Sequence, residues 1–214
     1  MSRKTQIILV DDHAIVRAGF KMLLATCETI EVIAEADRGE AALQLYQDLK
    51  PDLLIMDLSM PGLGGLETIH RLIQRDSAAR ILVFSVHHEP VYINRALTAG
   101  AQGYITKNSA PELLLDAIQC LMQGETYVEK GLLKTSNSLH ATTDYSALIA
   151  NFSKREFDVF RLLTQGMTAH KIADELCLGY KTVANYVTQI KKKLSAESLL
   201  DLVRIAEDCG IHKP

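Results

Sequence analysis

Between residues 6 and 123 the chain alternates short apolar runs with longer stretches of helical period. The runs are 6–10, 31–35, 53–57, 80–85 and 103–106, and the stretches between and after them fall near 13–25, 39–49, 66–76, 89–99 and 110–123. Runs such as Ile7-Ile8-Leu9-Val10 are continuously apolar rather than alternating, which is what a strand covered on both faces of a parallel sheet requires. Five βα units in succession, joined by right-handed crossovers, predict an α/β doubly wound five-stranded parallel sheet. The ligand crevice of such a sheet lies beyond the carboxyl ends of its strands, at the switch point of strand order.

After residue 124 the pattern changes. Residues 125–150 hold no sustained period and contain the polar runs Lys134-Thr135-Ser136-Asn137-Ser138 and Ala141-Thr142-Thr143-Asp144, so they read as a linker whose apolar positions are Leu132, Leu133, Leu148 and Ile149. At Phe152-Ser153-Lys154-Arg155-Glu156-Phe157 a helix begins: Ser153 and Glu156 have capping-box spacing, with Phe152 and Phe157 at the positions of a hydrophobic staple. Gly166 ends this helix, Thr168 caps a second one through Leu176, and Cys177-Leu178-Gly179 turns the chain into a third that runs through Leu194. Two short helices joined by a tight Gly-containing turn make a helix-turn-helix unit. The third helix buries a stripe of Val183, Val187, Ile190 and Leu194 and turns Lys181, Asn185, Thr188 and Lys192 outward. A fourth helix carries Leu199, Leu202, Val203 and Ala206 and stops at Gly210. The expected organisation is 1–124, an α/β domain; 125–150, a linker; and 151–214, a small all-α domain.

The length of 214 residues accommodates two such cores, and a hydrophobic fraction of 48% with 23% charged residues is that of a globular protein. No run approaches the roughly 18 apolar residues of a membrane span, and Ile7–Val10 is too short for a signal-peptide core, so a cytoplasmic protein without a membrane partner is expected. Cys27, Cys120, Cys177 and Cys209 form no Cys-x-x-Cys pair and are expected to be reduced thiols. Charge is uneven. Residues 1–124 hold 11 basic against 15 acidic side chains, a net −4, while residues 151–194 hold 8 against 4, a net +4. The basic module points to a polyanion partner.

The chemistry is expected where the strands end. The first strand runs into Asp11-Asp12, the third ends in Asp57, the fourth in Ser85, and Lys107 follows the fifth. Three carboxylates, a hydroxyl and an ammonium therefore converge, and carboxylates held a few ångströms apart call for a cation, Mg²⁺ when every ligand is oxygen.

These residues carry a resemblance. Ile8-Leu9-Val10-Asp11-Asp12-His13, Asp57-Leu58-Ser59-Met60-Pro61-Gly62, Val83-Phe84-Ser85 and Gly103-Tyr104-Ile105-Thr106-Lys107 resemble the receiver domain of two-component response regulators, a flavodoxin-like fold. Ser153-Lys154-Arg155-Glu156, the run Gly166–Ala173, Lys181-Thr182-Val183 and Lys193-Leu194 resemble the LuxR-type DNA-binding domain, which makes the whole chain similar to NarL/FixJ-type regulators. The resemblance implies that Asp57 accepts a phosphoryl group from a sensor histidine kinase. It also implies that Asp11, Asp12, Asp57 and Ser59, the last through its carbonyl, hold Mg²⁺, and that Ser85, Tyr104 and Lys107 contact the phosphoryl group or relay the change. In the second domain it implies contact of Lys181, Thr182, Asn185, Thr188, Lys191 and Lys192 with double-stranded DNA. It further implies a homodimer through Leu199, Leu202, Val203 and Ala206, and RNA polymerase as a further partner. Asn108 departs from the proline that many receivers carry after the lysine, and Gly179, Ala184 and Tyr186 depart from the usual recognition helix. The function expected is transcription regulation rather than enzymatic turnover. A haloacid-dehalogenase-type phosphatase would need a second Asp two residues after the nucleophile, where Ser59 stands. The alternative is a DNA-binding regulator whose receiver no longer takes part in phosphotransfer.

Overall fold

The computed structural model describes residues 3–132 and 145–211; the polar runs 134–138 and 141–144, read as the middle of the linker, lie outside the described residues. The chain divides into two compact units, one made mainly of the residues before this interval and one mainly of those after it.

The first unit is a parallel sheet wrapped by helices. Its strands are β1 (Thr5–Val10), β2 (Ile30–Ala36), β3 (Leu53–Met56), β4 (Ile81–Ser85), β5 (Gly103–Thr106) and β6 (Tyr127–Val128), in the order β2-β1-β3-β4-β5-β6. Its helices are α1 (Ala14–Leu24), α2 (Gly39–Leu49), α3 (Gly65–Arg75), α4 (Pro90–Thr98) and α5 (Pro111–Met122). Every residue of β3, β4 and β5 is buried, as is the second half of β1, so the continuous apolar runs do line a two-sided core. Alternate residues serve each face: Ile7, Leu9, Ile55, Leu82, Phe84 and Ile105 join Leu24, Leu114, Ile118 and Leu121 in one cluster.

The expected five strands are six. Gly124, at φ +83°, turns the chain after α5, and Tyr127 and Val128 then pair with Gly103 and Tyr104 at the sheet edge. A two-residue strand is too short to show any period along the sequence, which is why it escapes the pattern. The reversal of strand order at β1 and β3 puts the ends of these neighbours side by side, and the Asp57 amide donates to the Val10 carbonyl at 2.8 Å.

The second unit holds α6 (Tyr145–Ala150), α7 (Lys154–Thr164), α8 (Ala169–Glu175), α9 (Tyr180–Leu194) and α10 (Leu199–Asp208). Helix α7 starts on the expected capping box, with Ser153 and Glu156 exchanging side-chain and backbone hydrogen bonds, and Thr168 accepts from the Lys171 amide to cap α8. A second capping box, Ser198 with Asp201, begins α10. α7 packs on α9 and α10, with Phe152 set edge-on to Phe160 at 5.8 Å and Val183, Ile190 and Leu194 buried.

Glu156 joins these helices. Its carboxylate is 6% exposed, accepts from the Ser153 amide at 2.8 Å and meets Lys193 Nζ of α9 at 2.6 Å, with that ammonium 5.6 Å from the centre of the Phe152 ring. Burial alone would raise its pKa, but the hydrogen bonds from Lys193 and Ser153 outweigh burial and hold it below the ordinary glutamate value. A carboxylate with a depressed folded-state pKa stabilises above the unfolded value, and the contribution fades as pH falls through the folded one. Expressed alone, residues 145–214 should fold. Because Lys193 is half exposed and solvent screens the pair, Glu156→Gln should cost about 1–2 kcal/mol at neutral pH. The variant should also lose less stability than the wild-type fragment as pH drops below about 4, and urea unfolding at a series of pH values reads both effects.

Candidate functional site

The acidic crevice is built by three strand ends. Asp11 follows β1 and Asp57 follows β3; they are 6% and 2% exposed. Asp12 stands beside Asp11 at the entry to α1, and Ser85 closes β4 with no exposed surface. Gly65 lets α3 start directly beneath the Asp57 loop: a Cβ there would lie 2.1 Å from the Asp57 carbonyl oxygen, so no other residue fits without displacing the loop. Ser59 N donates to Asp57 Oδ1 at 3.3 Å.

Lys107 supplies the positive charge. Its Nζ lies 2.6 Å from Asp11 Oδ2 and 2.8 Å from Asp57 Oδ2, and its side chain is 11% exposed. Burial works against the ammonium, but the hydrogen bonds it donates to both carboxylates and their charges overcome it and leave the pKa above that of a free lysine. The backbone passes through this turn, at Asn108, by trans peptides.

Acceptor oxygens of Asp11, Asp12 and Asp57, with a ring nitrogen of His13, lie within 4.8 Å of one another. Three carboxylates against one ammonium leave a formal charge of −2. Asp12 Oδ1 is buried without a hydrogen-bond partner: His13 Nδ1 lies 2.8 Å away, close enough for an ion pair but poorly directed for a hydrogen bond. An orphaned carboxylate oxygen beside two further carboxylates is a donor set that fits a divalent cation. The sequence motif contains His13 without giving it a role, and Glu129, described below, lies in a stretch read as linker.

Two more side chains flank the crevice. Ser59 Oγ lies 2.9 Å from His87 Nε2, joining the loops after β3 and β4. Tyr104 is fully buried and its hydroxyl donates to the His87 carbonyl at 2.9 Å. His87 N also donates to Ser85 Oγ at 3.4 Å, so Ser85, Tyr104 and His87 form one connected group.

In the second unit α9 turns Lys181, Thr182, Asn185, Thr188 and Lys192 to solvent. Thr188 Oγ1 donates to the Ala184 carbonyl one turn back, and Lys191 Nζ donates to the Glu197 carbonyl. His170 of α8 stacks on Tyr180 at the start of α9, centroids 4.2 Å apart. The four-residue face expected on α10 divides. Leu202 and Ala206 are buried inside the chain and cannot form an outer face, because the helix needs them to close its own core. Leu199 and Leu200, 46% and 59% exposed, are the apolar residues that face outward, with Val203 half-buried.

Residues 7–119 match the family model of the response regulator receiver domain. The chain belongs to the response regulator family. Residues 150–206 match a second model, the bacterial regulatory proteins of the luxR family. The chain is 38% identical to the transcriptional activator protein ExaE of Pseudomonas putida, over 96% of this chain and 97% of that one. It is 34% identical to the response regulator GacA of Pseudomonas aeruginosa, again over 96% and 97%. Among solved structures, RcsB from Salmonella enterica serovar Typhimurium, bound to promoter rprA in the presence of the phosphomimetic BeF3⁻, shares the fold. Its TM-score is 0.65 at 24% identity, over 95% of this chain and 99% of that one. This response regulator is therefore a DNA-binding member of the two-component type, with a receiver and a LuxR-family helix-turn-helix domain. Among the described residues no helix is long and apolar enough to cross a membrane.

Proposed function

We propose that Asp57 is the phosphoacceptor and that its phosphorylation by a sensor histidine kinase controls binding of the second unit to DNA. The observation that carries this reading is the Lys107 ammonium shared between Asp57 and Asp11 in a pocket that still holds a buried carboxylate oxygen without a hydrogen bond. In the transfer, a carboxylate oxygen of Asp57 forms a bond to phosphorus as the bond from phosphorus to the kinase imidazole breaks, giving a mixed anhydride. Asp11, Asp12 and the Ser59 carbonyl would hold Mg²⁺, directly or through water. When bound, it shields the attacking carboxylate from the phosphoryl oxygens and neutralises charge developing on them. Lys107 adds a second positive contact, and the Ser85 hydroxyl, buried next to it, is available to the bound phosphoryl group, with Tyr104 as the buried relay beyond. Ser59 stands where a phosphatase of the haloacid-dehalogenase type would place its acid–base Asp and is bonded to His87, which supports a regulator rather than a turnover enzyme. Retention of the complete set of pocket residues counts against a receiver that has lost phosphotransfer.

For DNA, the exposed face of α9 is the reading surface, entering the major groove as the second helix of a helix-turn-helix does. Asn185 is shaped for a bidentate contact to adenine, and the methyl group of Thr188 for a thymine methyl. Lys181 and Lys192, near the two ends of the helix, reach phosphates. Lys191 and Lys193 are held by Glu197 and Glu156, so they contribute less than the three-lysine run implies. A homodimer in the active state would use the outward Leu199 and Leu200 and the half-buried Val203, RNA polymerase being a further partner, and the absence of any spanning helix among the described residues accords with a cytoplasmic site of action.

Incubated with a small phosphodonor and Mg²⁺, the chain should take up one acid-stable, base-labile acyl phosphate, and Asp57→Asn should abolish it; undiminished labelling of the variant removes the assignment. For the helix, Asn185→Ala should cost about 1–3 kcal/mol on the preferred duplex and relax selectivity, whereas Lys192→Ala should weaken all duplexes alike and lower the salt slope by about one unit. Titration of specific and scrambled duplexes at several salt concentrations separates the two.

A further inference from the structure

Glu129 follows β6 directly, 23 residues after Thr106, and its carboxylate reaches back into the turn that carries Lys107. One oxygen, Oε2, receives three donors: the Thr106 amide at 3.0 Å, Thr106 Oγ1 at 3.2 Å and Ser109 Oγ at 2.6 Å. The two hydroxyls are themselves 2.8 Å apart, and the Ser109 amide donates to the Thr106 carbonyl at 3.1 Å. The residues immediately before and two after Lys107 are thus tied to one carboxylate. From the other side, the Lys107 amide donates to the Ser85 carbonyl at 2.8 Å. Glu129 is anchored in turn, its own amide donating to the Tyr104 carbonyl at 3.1 Å as the parallel pairing of β6 on β5 runs out.

The need for such an anchor comes from Asn108. A proline ring would fix a backbone torsion in this turn without any partner; asparagine leaves the torsion free, so the direction of Lys107 depends on what holds its neighbours. Hydrogen bonds to an ionised acceptor are short and about twice as strong as neutral ones, and here they converge on the flanks of a lysine whose Nζ must meet Asp11 and Asp57 at once.

We infer that Glu129 is a positioning residue for phosphoryl transfer: it holds the 106–109 turn so that the Lys107 ammonium is aimed at Asp57, and touches none of the reacting atoms. This inference rests on the reading of Asp57 as the phosphoacceptor.

The test compares the full chain with its Glu129→Gln and Lys107→Ala variants. Initial rates of acyl-phosphate formation are measured against phosphoramidate concentration with Mg²⁺, and melting temperatures are recorded alongside. The ¹⁹F spectrum of the beryllofluoride adduct is recorded as well, since an adduct on Asp57 would bring its fluorines near the Lys107 ammonium, 2.8 Å from Asp57 Oδ2. Glu129→Gln should lower the maximal rate roughly tenfold, the scale of losing an outer partner that orients a site group, with the half-saturating donor concentration nearly unchanged. Its adduct resonance should move in the same direction as that of Lys107→Ala. Wild-type rates in Glu129→Gln, or a slower rate with a lowered melting temperature but an unmoved resonance, would overturn the inference and leave Glu129 as a staple of the sheet edge. Failure of the wild-type chain to label at all would instead remove the phosphoacceptor reading beneath it.

Discussion

The receiver depends on a repulsion that its fold cannot avoid. A doubly wound sheet whose first and third strands lie side by side brings the residues at their ends together, and in this chain those residues are Asp11, Asp12 and Asp57. Two like charges 4 Å apart oppose each other by about 4 kcal/mol at an effective dielectric of about 20. One ammonium cannot balance three carboxylates, and Lys107 divides itself between two of them, leaving Asp12 with a buried oxygen that receives no hydrogen bond. The pocket is held short of neutrality, and a site in that condition responds strongly to any change of charge brought into it.

The rest of the first unit can be understood as support for that pocket. The strands are buried on both faces, so the positions of their ends are set by a core that does not yield by fractions of an ångström. Gly65 allows α3 to press against the Asp57 loop. Tyr104, sealed in the core, is hydrogen-bonded to the backbone of the His87 loop, and that loop in turn contacts Ser59 and Ser85. A change at Asp57 therefore meets a connected set of groups rather than isolated side chains, which is the material from which a two-state element is made. A modification that favours one of two such states shifts their populations by no more than its differential interaction with them.

Much of this is legible in the residues taken in order, and the reason is locality. Continuous apolar runs declare strands covered on two faces, the residues that end or follow the first, third, fourth and fifth runs declare what lies at the crevice, and Ser153 with Glu156 announces a helix start within four positions. What escapes the sequence is whatever acts across it. Glu129 has its place only through Thr106 and Ser109, 23 and 20 residues away in the chain across α5, and by way of a strand of two residues. The lysine run 191–193 reads as three equivalent charges, yet Lys191 is tethered to the Glu197 backbone carbonyl and Lys193 is paired with the Glu156 carboxylate, so the three are not equivalent. The apolar stripe of α10 shows the same limit: period alone does not say which of Leu199, Leu202, Val203 and Ala206 the domain takes for its own core, and burial assigns Leu202 and Ala206 inward.

The central claim is that the charge state of the Asp57 pocket sets how tightly the second unit holds DNA. Its most direct test is the affinity of the full chain for a duplex obtained by in-vitro selection, measured with and without beryllofluoride and Mg²⁺ at one fixed salt concentration, since phosphate contacts make affinity salt-dependent. The account predicts tighter binding when the acyl-phosphate mimic is present in the wild-type chain and no change in Asp57→Asn. Equal affinities with and without the mimic in the wild-type chain, under conditions where its bound fluorine signal is seen, would contradict it.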